Sequence, residues 1–352
     1  MKRLFSIVLV ICMLCSLFAC AEPADPTTGS TDTSANASTD TEANESTSTQ
    51  IKYEKPQDVL DASTHLVGLT DQKNSRLIVC DLAVEDWSND AAVVWEFKDP
   101  RVNSAGIKFR YSEVFGGHVV LFCGSKGAGI ISYETKKMLF YTTNVGNNPH
   151  SVELLPDGTF LVASSTGNEI HVYKAASGRT QPVQRVVCSN AHGVLWDPTY
   201  QVVWAVGVDK LSAYSVSGGP ENPRLTLNSG MVYTTSKSGL HDLSPCYGDP
   251  TKLFVTCEAG VLLFDKEEEK FTTAYPGAYY ASKMSYVPGV GNYPDNVMAM
   301  TNVISGQTVG QEWLMNQVTI LVPLDKYTVR KVIRVAPNDA YYKLRVWIPD
   351  YQ

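Results

Sequence analysis

One block of about 42 residues recurs along the chain, and it restricts the fold more than any other feature. Each copy has a polar residue, an apolar strand, a turn of Pro, Asp or Gly, a second apolar strand, a tight turn and a further strand. The spacings between copies are 40, 42, 49 and 42 residues, and the copies begin at Arg110, His150, His192, His241 and Lys283. Repeats of this length and strand content are typical of a ring of β-sheet blades.

The two ends of the repeat region complete each other. The segment KLRVWIPD from Lys343 has the first strand of the pattern alone, whereas LVGLTDQKNSRLIVCDL from Leu66 has the later strands without a first one. If both segments share one blade, the ring closes and no long sheet edge stays exposed. We therefore predict an all-β domain over residues 56–352, a six-bladed β-propeller closed by its C-terminal strand, and we expect a monomer.

The first twenty residues have the pattern of an export signal. Lys2 and Arg3 precede an apolar run too short for a stable membrane span. The end of this run, LFAC, resembles the bacterial lipobox, which implies that Cys20 becomes the first mature residue and carries lipid. The alternative is an ordinary signal with a chance cysteine. We expect an exported protein, anchored by lipid to the bacterial cell membrane and facing the outside or the periplasm.

Residues 21–55 form a predicted disordered linker. Up to position 50 they are small and polar with six acidic residues and no aromatic residue, so they cannot bury enough apolar surface to order. Without Lys2 and Arg3 the net charge is 27 − 36, or −9. An acidic chain makes nucleic acid an unsuitable partner.

Five cysteines fall in the predicted domain. Their number is odd, and several lie in apolar strand-like runs, which favours buried free thiols over a disulfide framework. The five are Cys80, Cys123, Cys188, Cys246 and Cys257.

Alignment of the blades on their first turns places a basic residue at the same position six times. That position begins the strand that lines the channel of a propeller, so the six side chains are predicted to converge on one mouth. They are Arg110, His150, His192, His241, Lys283 and Lys343.

The three histidines of this set belong to successive blades. Three imidazoles suit a divalent cation with an open position for water. Glu113 and Glu153, three residues further along two of the strands, offer an oxygen ligand or a general base for hydrolysis.

Two other interpretations of the ring remain open. Each histidine can be a channel residue bonded to a neighbouring backbone. Alternatively, Arg110, Lys283 and Lys343 form a metal-free socket for a phosphate, a sulfate or a uronic carboxylate. An insertion at 304–316 is predicted to be a long loop over one face, serving as a binding loop or merely tolerated.

The segments NPHSVELLPDG and ASSTGNEIHVY resemble an uncharacterised family of bacterial lipoprotein β-propellers. More distantly, the layout resembles the propeller domain of blood-group A N-acetylgalactosamine deacetylases, which use a divalent metal. That resemblance implies site roles for His150, Glu153 and Glu113, with His241 as a further match. The chain differs in having Arg110 where those enzymes have a small polar residue, and no separate sugar-binding domain follows.

The leading hypothesis is a metal-dependent hydrolase of surface glycans, an amide or ester deacylase. His150, His192 and His241 would hold the metal, Glu153 and Glu113 would be catalytic, and Arg110, Lys283 and Lys343 would bind substrate. The second hypothesis is a non-catalytic propeller that captures a glycan, a peptide or a partner protein. A lactonase or lyase propeller ranks third.

Overall fold

Six four-stranded antiparallel sheets account for the strands in residues 53–273 and 276–352, which the computed structural model describes. The signal at 1–20, the lipidation site Cys20 and the linker up to residue 52 lie outside the described residues. The all-β six-bladed propeller is confirmed.

The blades follow one another along the chain, and within each blade the first strand named is the innermost. Blade I contains β24 (Tyr341–Val346), β1 (Leu66–Asp71), β2 (Arg76–Asp81) and β3 (Val93–Lys98). Blade II contains β4 (Ser104–Ser112), β5 (Gly117–Gly124), β6 (Gly127–Ser132) and β7 (Met138–Thr142). Blade III contains β8 (Pro149–Leu154), β9 (Thr159–Ser164), β10 (Glu169–Lys174) and β11 (Gln184–Val187).

The second half of the ring repeats this order. Blade IV contains β12 (Ala191–Asp197), β13 (Val202–Gly207), β14 (Lys210–Ser217) and β15 (Arg224–Thr234). Blade V contains β16 (Asp242–Pro245), β17 (Lys252–Cys257), β18 (Gly260–Asp265) and β19 (Lys270–Thr272). Blade VI contains β20 (Gly289–Asn292), β21 (Met298–Thr301), β22 (Gln317–Pro323) and β23 (Val329–Val335).

Closure of the ring follows the prediction. The last strand pairs antiparallel with the first, with Val346 opposite Val67 and Leu344 opposite Leu69. The register places Gly68 of blade I against blade II, where an added Cβ would lie 2.1 Å from the ring of Phe109. Only glycine allows this approach between neighbouring blades.

The core lies between the blades. The middle residues of the second strands are mostly apolar because these strands pack against neighbouring blades, and all six residues of β9 are buried. One interface brings Val152 and Val162 of blade III against Leu121 and Ile130 of blade II. A continuous apolar run is the pattern expected of such a strand.

Two short α-helices in the described part of the chain, α1 (Pro56–Ala62) and α2 (Pro276–Ala281), accompany the sheets. Single 3₁₀ turns at Ser88–Asp90 and Ala175–Ser177 lie between strands. Among the described residues no helix has the length and apolar character needed to cross a membrane.

The five cysteines of the domain are free, as predicted. Four are buried and Cys188 is partly buried. Burial raises the pKa of the Cys123 thiol to about 12, so this thiol stays protonated and packs as an apolar group.

The last six residues lie across the end of the channel at which the innermost strands finish. The Tyr351 hydroxyl donates to the carbonyl of Leu154 over 2.6 Å, and the guanidinium of Arg110 lies 4.8 Å from the Tyr351 ring centre. The amide of Tyr111 donates to the carbonyl of Pro349. The C-terminal tail therefore covers the channel opposite the end where the innermost strands begin.

Candidate metal centre

Two of the three histidines sit in irregular steps of their strands. The pairing of β8 with β9 shifts between Pro149 and Ser151, and that of β12 with β13 shifts between Ala191 and Gly193. His150 and His192 are the extra residues at these shifts. Such bulges turn a side chain away from the regular alternation, and here they direct both rings to the channel mouth.

The three imidazoles meet, as the sequence predicted. His241 precedes β16 directly, and its amide donates to the carbonyl of Thr256. The ring centres of His150 and His192 are 4.5 Å apart, as are those of His192 and His241, and His150 lies 5.5 Å from His241. One ligand atom from each residue falls within 4.8 Å of the others, close enough to hold one metal ion.

Backbone carbonyls fix two of the rings. Nδ1 of His150 donates to the carbonyl of Asn148 over 2.9 Å, and Nδ1 of His192 donates to that of Asn190 over 2.8 Å. A carbonyl can only accept, so Nδ1 carries the proton and Nε2 keeps a lone pair. Metal-binding histidines are commonly oriented in this way.

The third ring bonds to two tyrosines that the sequence analysis did not assign to the centre. Nε2 of His241 lies 2.5 Å from the hydroxyl of Tyr342 and 2.7 Å from that of Tyr286. Tyr342 follows the irregular pairing of β24 with β1, which places it where the other blades have histidine. The alignment of the blades on their first turns had predicted Lys343, one residue further on, at this position.

Burial keeps the three imidazoles neutral. Desolvation, followed by repulsion from the neighbouring imidazole and from Lys343, lowers the pKa of His150 to about 3. Desolvation and Lys343 lower the pKa of His192 to about 4, and the pKa of His241 is well below its ordinary value for the same reasons. Neutral imidazole is the form that binds a metal ion.

Lys343 lies beneath the histidines inside the channel. Its ammonium donates to the carbonyls of His192 and His241, each over 3.2 Å, and to Asp242 over 3.1 Å. The side chain is 1% exposed. Two of its hydrogens therefore support the backbone that carries the histidines and the third bonds the Asp242 carboxylate, so none faces the mouth where a substrate was expected to meet it.

Glu153 lies inside the channel between two cations. Its carboxylate accepts hydrogen bonds from Lys108 over 3.0 Å and from Arg110 over 2.7 and 2.8 Å. The amides of Leu154 and Trp196 donate to it as well. Both oxygens are thus engaged by buried donors, away from the predicted metal and water.

The placement of Arg110 level with His150 was wrong. The first hairpin of blade II is five residues longer than that of blade III. It runs from Ser104 to Gly124, whereas the hairpin of blade III runs from Pro149 to Ser164. Alignment of the blades on their first turns therefore matched β4 to β8 in the wrong register.

The pairing of β4 with β5 shifts between Ser104 and Gly106, so Ala105 is the residue of blade II that corresponds to His150 of blade III. Glu113 is exposed in the turn after β4, at the end of the strand away from the histidines. Lys283 also lies outside the ring, since it is exposed after α2 with its ammonium 4.9 Å from the ring centre of Tyr279.

A cavity of about 570 Å³ opens beside His150. The inserted loop, residues 302–316 between β21 and β22, contributes Glu312 and Trp313 to its wall, and the Trp313 side chain is 45% exposed. Polar residues dominate the rest of the lining, which includes Gln72, Asn103, Ser125, Asn148, His150, Tyr286 and Tyr342. The predicted loop over one face is thus present and borders the site.

Comparisons with known proteins agree on the fold. A family model described as "Family of unknown function (DUF6528)" matches residues 38–319. No curated protein matches the chain.

Several solved structures share the architecture at low sequence identity. A nidogen/laminin complex has a chain with a TM-score of 0.54 and 12% identity, covering 82% of this chain and 100% of that one. A protein of unknown function from Bacteroides caccae has a TM-score of 0.53 and 12% identity, covering 81% and 99%. A putative 6-phosphogluconolactonase from Bacteroides fragilis NCTC 9343 has a TM-score of 0.54 and 10% identity, covering 81% and 98%. At such identities the likeness concerns the fold alone.

Proposed function

The chain belongs to this family of unknown function, and we propose that it is a divalent-metal-dependent hydrolase that removes an acyl group from a glycan outside the cell. The observation that carries the proposal is the meeting of His150, His192 and His241 at the channel mouth. In this proposal the lipid on Cys20 holds the domain at the membrane, where it meets extracellular polymers. The distant resemblance to N-acetylgalactosamine deacetylases suggests an N- or O-acetyl group.

The donor set suits a borderline cation such as Zn²⁺. Three neutral imidazoles leave one tetrahedral position open, as in catalytic zinc sites. A metal bound there would supply a Lewis acid and lower the pKa of a coordinated water. His241 would exchange its tyrosine hydrogen bonds for the metal or ligate through Nδ1.

The cavity supports a carbohydrate ligand. Its wall offers amide and hydroxyl groups for sugar hydroxyls, and Trp313 offers an exposed aromatic face on which a sugar ring can stack. A volume of about 570 Å³ falls in the range of ligand pockets.

Glu312 takes the role of general base in this proposal. Glu153 and Glu113 were predicted for catalysis, but Glu153 is bound by two cations and Glu113 lies at the other end of its strand. Glu312 lines the same cavity as His150 and is exposed, so its carboxylate can reach a substrate or a water molecule there. Tyr286 and Tyr342 offer hydroxyls near the reacting group.

Metal analysis of the purified protein tests the centre. After exposure to Zn²⁺ and removal of free ions, we expect one equivalent bound, and less than a tenth of it in the variant His150→Ala/His192→Ala. His171→Ala is the matched control, because this histidine is at least as buried as His150 and His192 but bonds to Asn144 and Tyr173 outside the cluster. Substoichiometric metal in the unmodified protein would overturn the metal site.

Acetate release from a panel of N- and O-acetylated glycans tests the reaction. We expect release that depends on added metal, and a loss of about 100-fold or more in Glu312→Gln, the usual scale of general acid–base catalysis. Absence of release with every substrate, in a protein that holds metal, would overturn the hydrolase.

Non-catalytic capture of a glycan is the second candidate. It is favoured by the closed hydrogen-bond cluster of His241 with Tyr286 and Tyr342, which satisfies Nε2 without a metal. This candidate predicts glycan binding that chelators do not change. A lactonase or lyase ranks below both, because the resemblance to a putative lactonase is one of fold.

A further inference from the structure

The channel below the histidines holds more cations than carboxylates. Each of two carboxylates is shared by two cations, and all six side chains are at most 7% exposed: Glu153 with Lys108 and Arg110, and Asp242 with Lys343 and Arg345. With all six groups ionised, four cationic and two anionic groups, 4 − 2, leave a net charge of +2 in these two clusters. An uncompensated buried charge is costly.

The excess of positive charge also affects the pKa of Lys108. Burial, opposed by the attraction of Glu153 and reinforced by repulsion from Arg110 and Arg345, lowers the pKa of Lys108 to about 7. Its ammonium already donates to Glu153 and to the carbonyl of Val194, which leaves one hydrogen unassigned.

A small cavity adjoins these cations. It has a volume of about 10 Å³, which accommodates one particle of the size of a water molecule. Its wall includes Lys108, Arg110, Arg345, Ser244 and Tyr247. Three positively charged side chains thus border a space too small for a sulfate or a phosphate.

Two residues of the same wall each have a donor atom without a partner. The Nε of Arg345 and the hydroxyl of Ser244 are buried and form no hydrogen bond among the described residues. A guanidinium nitrogen only donates, so it requires an acceptor. A buried donor left unsatisfied costs about 1–3 kcal/mol, more when the group is charged.

We propose that this cavity binds one chloride ion, held by Arg345 Nε, Ser244 Oγ and the surrounding cations. A chloride accepts from both donors, fits a single-particle space and offsets one of the two surplus charges. A water molecule would satisfy the donors but leave the charge. The ion would join the first strands of blades II, V and I from inside the ring, independently of any metal at the histidines.

Diffraction from crystals grown in sodium bromide tests the site directly. At the bromine absorption edge we expect one anomalous peak inside the channel, within hydrogen-bond distance of Arg345 Nε and Ser244 Oγ. Ordinary water density at that place, without an anomalous signal, would overturn the proposal.

Thermal unfolding at constant ionic strength gives an independent test. Replacement of gluconate by chloride should raise Tm progressively, since a ligand that binds only the folded state stabilises it. Ser244→Ala should weaken the apparent chloride affinity about tenfold, the effect of losing one hydrogen bond to an ion. Ser151→Ala is the control, because this channel serine is as buried but does not line the cavity.

Arg345→Lys removes the Nε donor and keeps the charge, so it should weaken chloride binding as well. If that variant fails to fold, Ser244→Ala still decides the matter. Equal Tm in chloride and gluconate, or an unchanged chloride response in Ser244→Ala, would contradict the proposal.

Discussion

Arg110 holds Glu153 through two hydrogen bonds of 2.7 and 2.8 Å across the boundary between blades II and III. Neither side chain is more than 2% exposed. The residue that the sequence offered as a metal ligand or base is therefore a structural anion, and it neutralises part of the charge that Arg110 and Lys108 bring into the channel.

Glu153→Gln should destabilise the fold by about 3 kcal/mol, because removal of one partner leaves buried cations uncompensated. The free energy of unfolding in urea measures the effect. Glu113→Gln is the control and should lie within about 0.5 kcal/mol of the unmodified protein, since Glu113 is exposed. A Glu153→Gln variant of full stability that loses metal or activity would instead restore the catalytic role.

The metal-free protein should lose stability on mild acidification. Burial lowers the folded-state pKa of His150 to about 3 and of His192 to about 4, whereas both titrate near 6.5 when unfolded. Protonation therefore favours the unfolded chain, and the contribution of these groups is complete above about pH 6.5 and declines from there down to about pH 3.

Urea unfolding between pH 4 and pH 8 checks this behaviour. The variant His150→Gln/His192→Gln should show a flatter profile over that window, because two of the groups are gone. His171→Gln serves as the control and should retain most of the slope. Identical slopes in the unmodified protein and the double variant would show that the imidazoles are not neutral and buried.

Ring closure was predictable from the sequence because the first strand at Lys343 and the later strands from Leu66 each lack what the other supplies. The histidine cluster was predictable because blades III, IV and V share the level at which their first strands begin. The prediction that Arg110 lies at the channel mouth was wrong because β4 and β5 form a longer hairpin than β8 and β9, so the turn was the wrong reference point for the alignment.

The strand patterns of the sequence could not predict the cavity. Trp313 and Glu312 lie on the inserted loop, whose path depends on contacts such as the pairing of Met315 with Tyr341. Periodicity carries no information on where such a loop folds. The sequence analysis did not predict Tyr342, because an irregular step in the pairing of β24 with β1 places Tyr342, and not Lys343, beside the histidines.

Trp313→Ala should weaken glycan binding about tenfold without a change in fold, since the side chain is exposed and the loss is one stacking surface. Titration calorimetry with the best ligand of the glycan panel measures it. Tyr327→Ala is the control, because this aromatic side chain is 77% exposed in the turn between β22 and β23 and does not line the cavity. Equal affinity in both variants would remove Trp313 from the site.

The C-terminal tail should stabilise the ring through Tyr351. Its hydroxyl donates to the carbonyl of Leu154, and its ring lies under the guanidinium of Arg110. Tyr351→Phe keeps the ring and loses the hydrogen bond, so we expect a loss of about 1 kcal/mol. Tyr351→Ala also loses the cation–π contact and buried area, so we expect about 3 kcal/mol. Urea unfolding of both variants separates the two contributions, and a Tyr351→Ala variant as stable as the unmodified protein would show that the tail does not hold blades II and III together.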